Sequence, residues 1–155
     1  MEMPQPTEAH AKLERLAGEW TGEETMMPSP WAPSGGTATS TTRSRMALGG
    51  FYLLVDYEQR VGEVVAFTGH GVYGYDPEAK KYTMHWFDCG SPTSEVPVYG
   101  TWEGDTLTFE RASPTGGGRY VYRFPESGKY TFEMSSSKDG VRWQPVMEAR
   151  YTRRR

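Results

Sequence analysis

The sequence predicts an all-β fold, an antiparallel barrel of about eight to ten strands with one short N-terminal helix closing an end. Three observations predict it. Turn residues recur at roughly ten-residue intervals from Trp20 onward. Between the turns apolar and polar residues alternate, the period of a strand buried on one side. Helical spacing occurs once, ahead of a Gly18-Glu19-Trp20 step (G-x-W) that opens the first strand.

The helix is expected over residues 7–17. Thr7 can cap its free amides, Glu8 suits its positive end, Ala9, Leu13, Leu16 and Ala17 form an apolar face, and Gly18 supplies the stop. About three turns of helix are marginal alone in water, so this face needs the barrel to lie on. Strands are then expected near residues 20–27, 37–47, 51–59, 64–75, 81–89, 97–103, 106–111, 119–125, 129–136 and 143–153. Asp76-Pro77-Glu78-Ala79-Lys80, Glu103-Gly104-Asp105, Pro125-Glu126-Ser127-Gly128 and Lys138-Asp139-Gly140 supply turn chemistry between them. The proline-rich segment from Pro28 to Gly36 lacks ladder donors and reads as a long first loop. Its Trp31 is either a lid over the mouth of the barrel or an anchor to the rim. Gly116-Gly117-Gly118 reads as a flexible tip between strands.

Alternation assigns the faces. Tyr120, Tyr122 and Phe124 share a side, as do Tyr130, Phe132 and Met134, and Met147, Ala149, Tyr151 and Arg153. These sides are expected to face inward, with Arg119, Arg123, Glu133, Glu148 and Arg150 outside. In the hairpin spanning 64–89, opposing Asp76 to Lys81 sets Gly71 against Trp86, Gly69 against Asp88 and Tyr75 against Tyr82. One face is then Phe67, Gly69, Gly71, Tyr73, Met84, Trp86 and Asp88, an apolar wall with one carboxylate, as small-molecule pockets have. Trp86 is either core filling or a ligand contact, and Asp88 either anchors a ligand or pairs with Arg43 or Arg45. The candidate ligand-binding set is Trp86, Tyr73, Tyr122, Phe132 and Met134, with Asp88 and Arg45 as polar anchors.

Composition narrows the function. At 155 residues one domain over 1–155 is expected. Seventeen Lys and Arg against 20 Asp and Glu give a net charge of -3, so no basic field recommends nucleic acid, and Arg153-Arg154-Arg155 reads as a solvated terminus. Cys89 stands alone and can form no intramolecular disulfide. With no leader-like start and no run near the ~20 apolar residues of a span, the expectation is a soluble cytoplasmic protein without a membrane partner. His70, His85 and Cys89, on the far side of the hairpin from Trp86, make the one metal-like grouping and lack a completing carboxylate, so neither metal nor cofactor is expected. A haem reading would need a histidine inside an apolar slot. No G-x-S-x-G elbow or phosphate loop occurs, and His85 and Asp88 fall on opposite faces of one strand, so no catalytic residue is assigned. Exposed aromatics on the histidine face, Phe87 among them, leave a homodimer open.

Leu16-Ala17-Gly18-Glu19-Trp20-Thr21-Gly22, the Leu48-Gly49-Gly50-Phe51 turn, Gly69-x-Gly71 running into Gly74-Tyr75-Asp76, Lys81-Tyr82 with Trp86-Phe87-Asp88, and the closing Tyr151-Thr152-Arg153 together resemble the bacterial domain of unknown function 1579 family. The resemblance implies a lipocalin-like (calycin) barrel, related to lipocalins and fatty-acid-binding proteins, and implies no reaction. By likeness to lipocalins, Trp20 would plug the closed end under Arg153, with Arg150 serving only if a bulge reversed the strand. The inward Arg-x-Tyr with which fatty-acid-binding proteins tether a carboxylate occurs here only reversed, as Tyr151-x-Arg153, which counts against a fatty acid. The expected function is binding of a small apolar or aromatic molecule in the barrel. An enzyme using the same cavity and an interaction module with a filled barrel are the alternatives.

Overall fold

Short turns between alternating segments leave each strand hydrogen-bonded to the next. The computed structural model describes residues 1–30, 32–91 and 97–154, so Trp31 lies outside the described residues. The strands are β1 (Gly18–Met26), β2 (Gly36–Ala47), β3 (Tyr52–Val61), β4 (Val64–Asp76), β5 (Lys81–Asp88), β6 (Val98–Glu103), β7 (Thr106–Ser113), β8 (Gly116–Glu126), β9 (Lys129–Ser137) and β10 (Gln144–Arg153). Each pairs antiparallel with its sequence neighbours, and β10 returns to β1 to close a ten-stranded barrel. Closure gives every strand a hydrogen-bonded neighbour on both sides, although β5 meets β6 only from Tyr82 to Met84. Among the described residues no helix is long and apolar enough to cross a membrane.

Local chemistry explains the turns. The Asp76 carboxylate accepts the Glu78 and Ala79 amides, and Asp139 accepts those of Val141 and Arg142. The β4–β5 register follows, with Asp76 opposite Lys81, Gly71 opposite Trp86 and Gly69 opposite Asp88. The glycine run at 116–118 is not a flexible tip, because it forms the start of β8 opposite Ser113, Ala112 and Arg111. A Cβ on Gly117 would lie 2.2 Å from the Arg111 carbonyl oxygen, so the bare backbone allows β7 and β8 to approach there.

The helical segment differs in pitch from the expectation. One α-turn, α1 (Glu8–Ala11), passes into a 3-10 helix over Lys12–Leu16. The buried residues are His10, Leu13 and Leu16, three apart, and a helix of three residues per turn aligns that spacing in one stripe. His10 Nδ1 accepts the Thr7 amide at 2.9 Å, and its ring stands edge-on to Phe51 and Tyr75. The Tyr82 hydroxyl donates to the Ala9 carbonyl at 2.7 Å, fastening the segment to β5.

At this closed end Trp20 is 1% exposed, and its Nε1 donates to the Leu16 carbonyl at 2.9 Å. Arg153 is its register partner on β10, with the guanidinium 4.3 Å from the indole centroid and Nη1 donating to the Ala17 carbonyl at 2.6 Å. Gly18 adopts φ +120, and a Cβ there would sit 2.3 Å from Arg153 Nη1, so both backbone and space require glycine.

Trp20→Ala is expected to lower unfolding free energy by about 3–5 kcal/mol in chemical denaturation, and a loss below about 1 kcal/mol would contradict this plug. Burial lowers the His10 pKa from its ordinary 6.5, so the unfolded chain takes up that proton first as pH falls. The stabilisation it carries is therefore complete above that ordinary value and is lost in acid, and His10→Leu should flatten the pH dependence of the melting temperature.

Candidate functional site

With the helix across one end, the β1–β2, β3–β4, β5–β6, β7–β8 and β9–β10 connections lie at the other. Between them is a cavity of about 440 Å³, open toward these loops and lined by inward positions of the strands. Pockets of roughly 300–1,000 Å³ suit small molecules.

One wall is aromatic. Tyr73, Trp86, Tyr122, Phe132 and Met134 all line the cavity, joined by Phe67 and Met84. The Trp86 indole folds over the glycines opposite it, so that a Cβ on Gly69 would lie 2.3 Å from its Cζ2. Trp86 therefore both covers the backbone and faces the cavity. Its Nε1 donates to Asp88 Oδ2 at 2.9 Å, while Oδ1 accepts the Gly90 amide at 2.9 Å. The hairpin's own donors hold Asp88, and neither Arg43 nor Arg45 contributes to that grip. Tyr73 and Tyr122 share a 2.7 Å hydroxyl hydrogen bond at the buried end of the wall. Burial pushes the Tyr73 phenol up to about 12 and raises Tyr122, so both are neutral phenols at physiological pH.

Arg45 does not reach the cavity, which corrects its assignment as an anchor. On β2 the buried, inward residues are Ala38, Ser40, Thr42 and Ser44, which puts Arg43 and Arg45 on the exterior. Arg43 lies 3.8 Å from Glu19 there.

The opposite wall is polar and was not anticipated from the sequence. Glu24 is 2% exposed. Tyr57 donates its hydroxyl to Glu24 Oε2, Gln59 donates Nε2 to Oε1 at 2.7 Å, and the Tyr151 hydroxyl reaches Oε2 at 3.3 Å. Both oxygens accept, as a carboxylate requires when buried. Ser40 donates to the Tyr151 hydroxyl at 3.3 Å, and Thr42, Ser44, Tyr57, Gln59 and Tyr151 line the cavity itself. Burial, then the hydrogen bond to Glu24, raises the Tyr57 pKa; burial, then the Glu24 charge, raises Tyr151. Glu24 sits two steps beyond Gly22 and four beyond Trp20 on one strand, so alternation from Trp20 was a signal that it faces inward.

None of the three histidines lines the cavity. His10 lies under the helix, and His70 is on the outer surface with Nδ1 2.7 Å from Asp56. His85 shares that outer face, where Cys89 Sγ accepts the Thr68 amide at 3.3 Å. Among the described residues no three His, Cys, Asp or Glu side chains come together as metal ligands would.

Glu24→Ala leaves the buried Tyr151 and the half-buried Tyr57 and Gln59 without this acceptor and is expected to cost about 3 kcal/mol of stability by denaturant titration. In alkali, Tyr73, Tyr122, Tyr130 and Tyr151 should stay protonated until the protein unfolds. Their raised pKa values mean stability is intact below the ordinary phenol value and falls above it. Phenolate absorbance rising in one smooth noncooperative step would contradict their burial.

Comparison with known proteins places this architecture. The model of the family described as "Protein of unknown function (DUF1579)" matches residues 5–153. Among solved structures, Rv2717c from M. tuberculosis superposes with a TM-score of 0.71 at 14% identity, covering 96% of this chain and 99% of that one. The S-type phycobiliprotein lyase CPES from Guillardia theta gives a TM-score of 0.61 at 10% identity, covering 98% and 99%. At these identities the likeness is one of fold alone. No curated protein matches the sequence.

Proposed function

The chain belongs to the DUF1579 family of proteins of unknown function, and from that premise we propose that it binds a small apolar or aromatic molecule inside the barrel, in the cytoplasm. The observation that carries this reading is the cavity of about 440 Å³ between an aromatic and a polar wall. A barrel that served only as an interaction surface would gain stability by filling that space, since empty volume forfeits dispersion contacts. An enzyme would need a reactive group poised beside an acid or base. Here the Glu24 oxygens are taken up by Tyr57, Gln59 and Tyr151, and Asp88 is held by Trp86 and Gly90, which suits holding a ligand better than transforming one. The unpaired, exposed Cys89 is compatible with a reducing compartment.

An environment-sensitive apolar dye should bind the folded protein and change its tryptophan emission. Trp86→Ala should weaken that binding about tenfold, because the indole supplies both contact area and the grip on Asp88. Failure of the native protein to take up the dye would reject the binding function.

A further inference from the structure

The residues lining the cavity include no lysine, arginine or histidine among those described. With Arg45 outside, the charges at this site are the carboxylates of Asp88, on the lining, and Glu24, directly behind Tyr57, Gln59 and Tyr151. Resting on the binding function proposed above, we infer that the cavity selects its occupant by charge, and that the occupant is an organic cation, an apolar or aromatic body bearing an amine or quaternary ammonium head.

The mouthward part of the cavity carries the argument. Tyr57, Phe67 and Trp86 all line it, and the Tyr57 plane is inclined to each of the other two. The Tyr57 ring is 6.1 Å from Trp86 at 59° and 6.4 Å from Phe67 at 66°. Ring faces carry negative potential, and a few of them set at angles to one another suit an ammonium group. Tyr57 donates its hydroxyl to the Glu24 carboxylate, which pushes electron density into that ring and strengthens its face toward a cation. Asp88 closes the group through Trp86 Nε1, and each of its oxygens keeps a lone pair beyond the Trp86 and Gly90 hydrogen bonds. A buried cation needs such compensation, and an anion here would meet two carboxylates with no positive side chain among the described lining residues. A carboxylate-bearing ligand is thereby disfavoured on charge alone.

The test uses three probes on one naphthalene skeleton, bearing a trimethylammonium, a hydroxymethyl or a carboxylate group. Their affinities for the full-length protein are read from quenching of tryptophan emission. The ammonium probe should bind about tenfold more tightly than the hydroxymethyl probe, and the carboxylate probe more weakly than either. Asp88→Asn should weaken the ammonium probe several-fold more than the hydroxymethyl probe, removing most of the ammonium advantage, whereas an equal loss for both probes would overturn the charge selection. Equal binding of all three, or a preference for the carboxylate, would overturn the charge selection while leaving the binding function standing. Binding of none would overturn both. The comparison on the unmodified protein decides the matter even if the variant folds poorly.

Discussion

The structure depends on the meeting of its first and last strands at Trp20. Pairing of β1 with β10 turns a ten-stranded meander into a closed barrel, and the indole stands at the start of that join opposite Arg153. The same residue bonds to the Leu16 carbonyl, so the seam and the helical plug share one anchor. A sheet of this length would otherwise present two edges, and an unplugged barrel would flood its aromatic interior. The order of the chain serves this closure. A short helix too weak to stand alone precedes the seam, and the final strand supplies the arginine that covers it.

The polar wall is built on the same join. Glu24 lies on β1, and its donors come from β3 and β10, so the carboxylate is satisfied only when strands from both ends of the sequence are in place. A buried carboxylate is costly, and the hydroxyls and amide around it offset that cost with little left for stability. Its effect is felt in the cavity. It holds Tyr57 and Tyr151 as neutral donors in fixed orientations and lends negative potential to a site with no cationic side chain among its described lining residues. In the binding function proposed above, the occupant's charge would thus be constrained by a residue that does not touch it.

On the other wall, backbone economy makes room for aromatic bulk. Gly69 and Gly71 allow the Trp86 indole to lie on the sheet, and the missing side chain at Gly22 does the same for Tyr151, whose ring atom would stand 2.6 Å from a Cβ there. Large rings lie flat against the wall, and the lumen stays open. The cavity is a product of glycine placement as much as of the residues that line it.

The sequence by itself determined the ten strands, the β4–β5 register and the inward faces of β8, β9 and β10, because turn residues and strict apolar–polar alternation are local signals that each segment carries alone. Those signals placed Trp86, Tyr73, Tyr122, Phe132, Met134 and Asp88 on one lining. They failed on β2, where Thr39, Ser40, Thr41, Thr42 and Ser44 make both faces polar, so nothing local marks which side is buried. Only pairing with Trp20, Gly22 and Glu24 of β1 decided that phase, sending Ser40, Thr42 and Ser44 inward and Arg45 out. The helix pitch was likewise decided by docking, since the spacing of His10, Leu13 and Leu16 matters only against a surface. Glu24 shows the limit most plainly. One of three glutamates in β1, it reads as solvated like Glu19 and Glu23 until donors brought from β3 and β10 by barrel closure offset the cost of burying it.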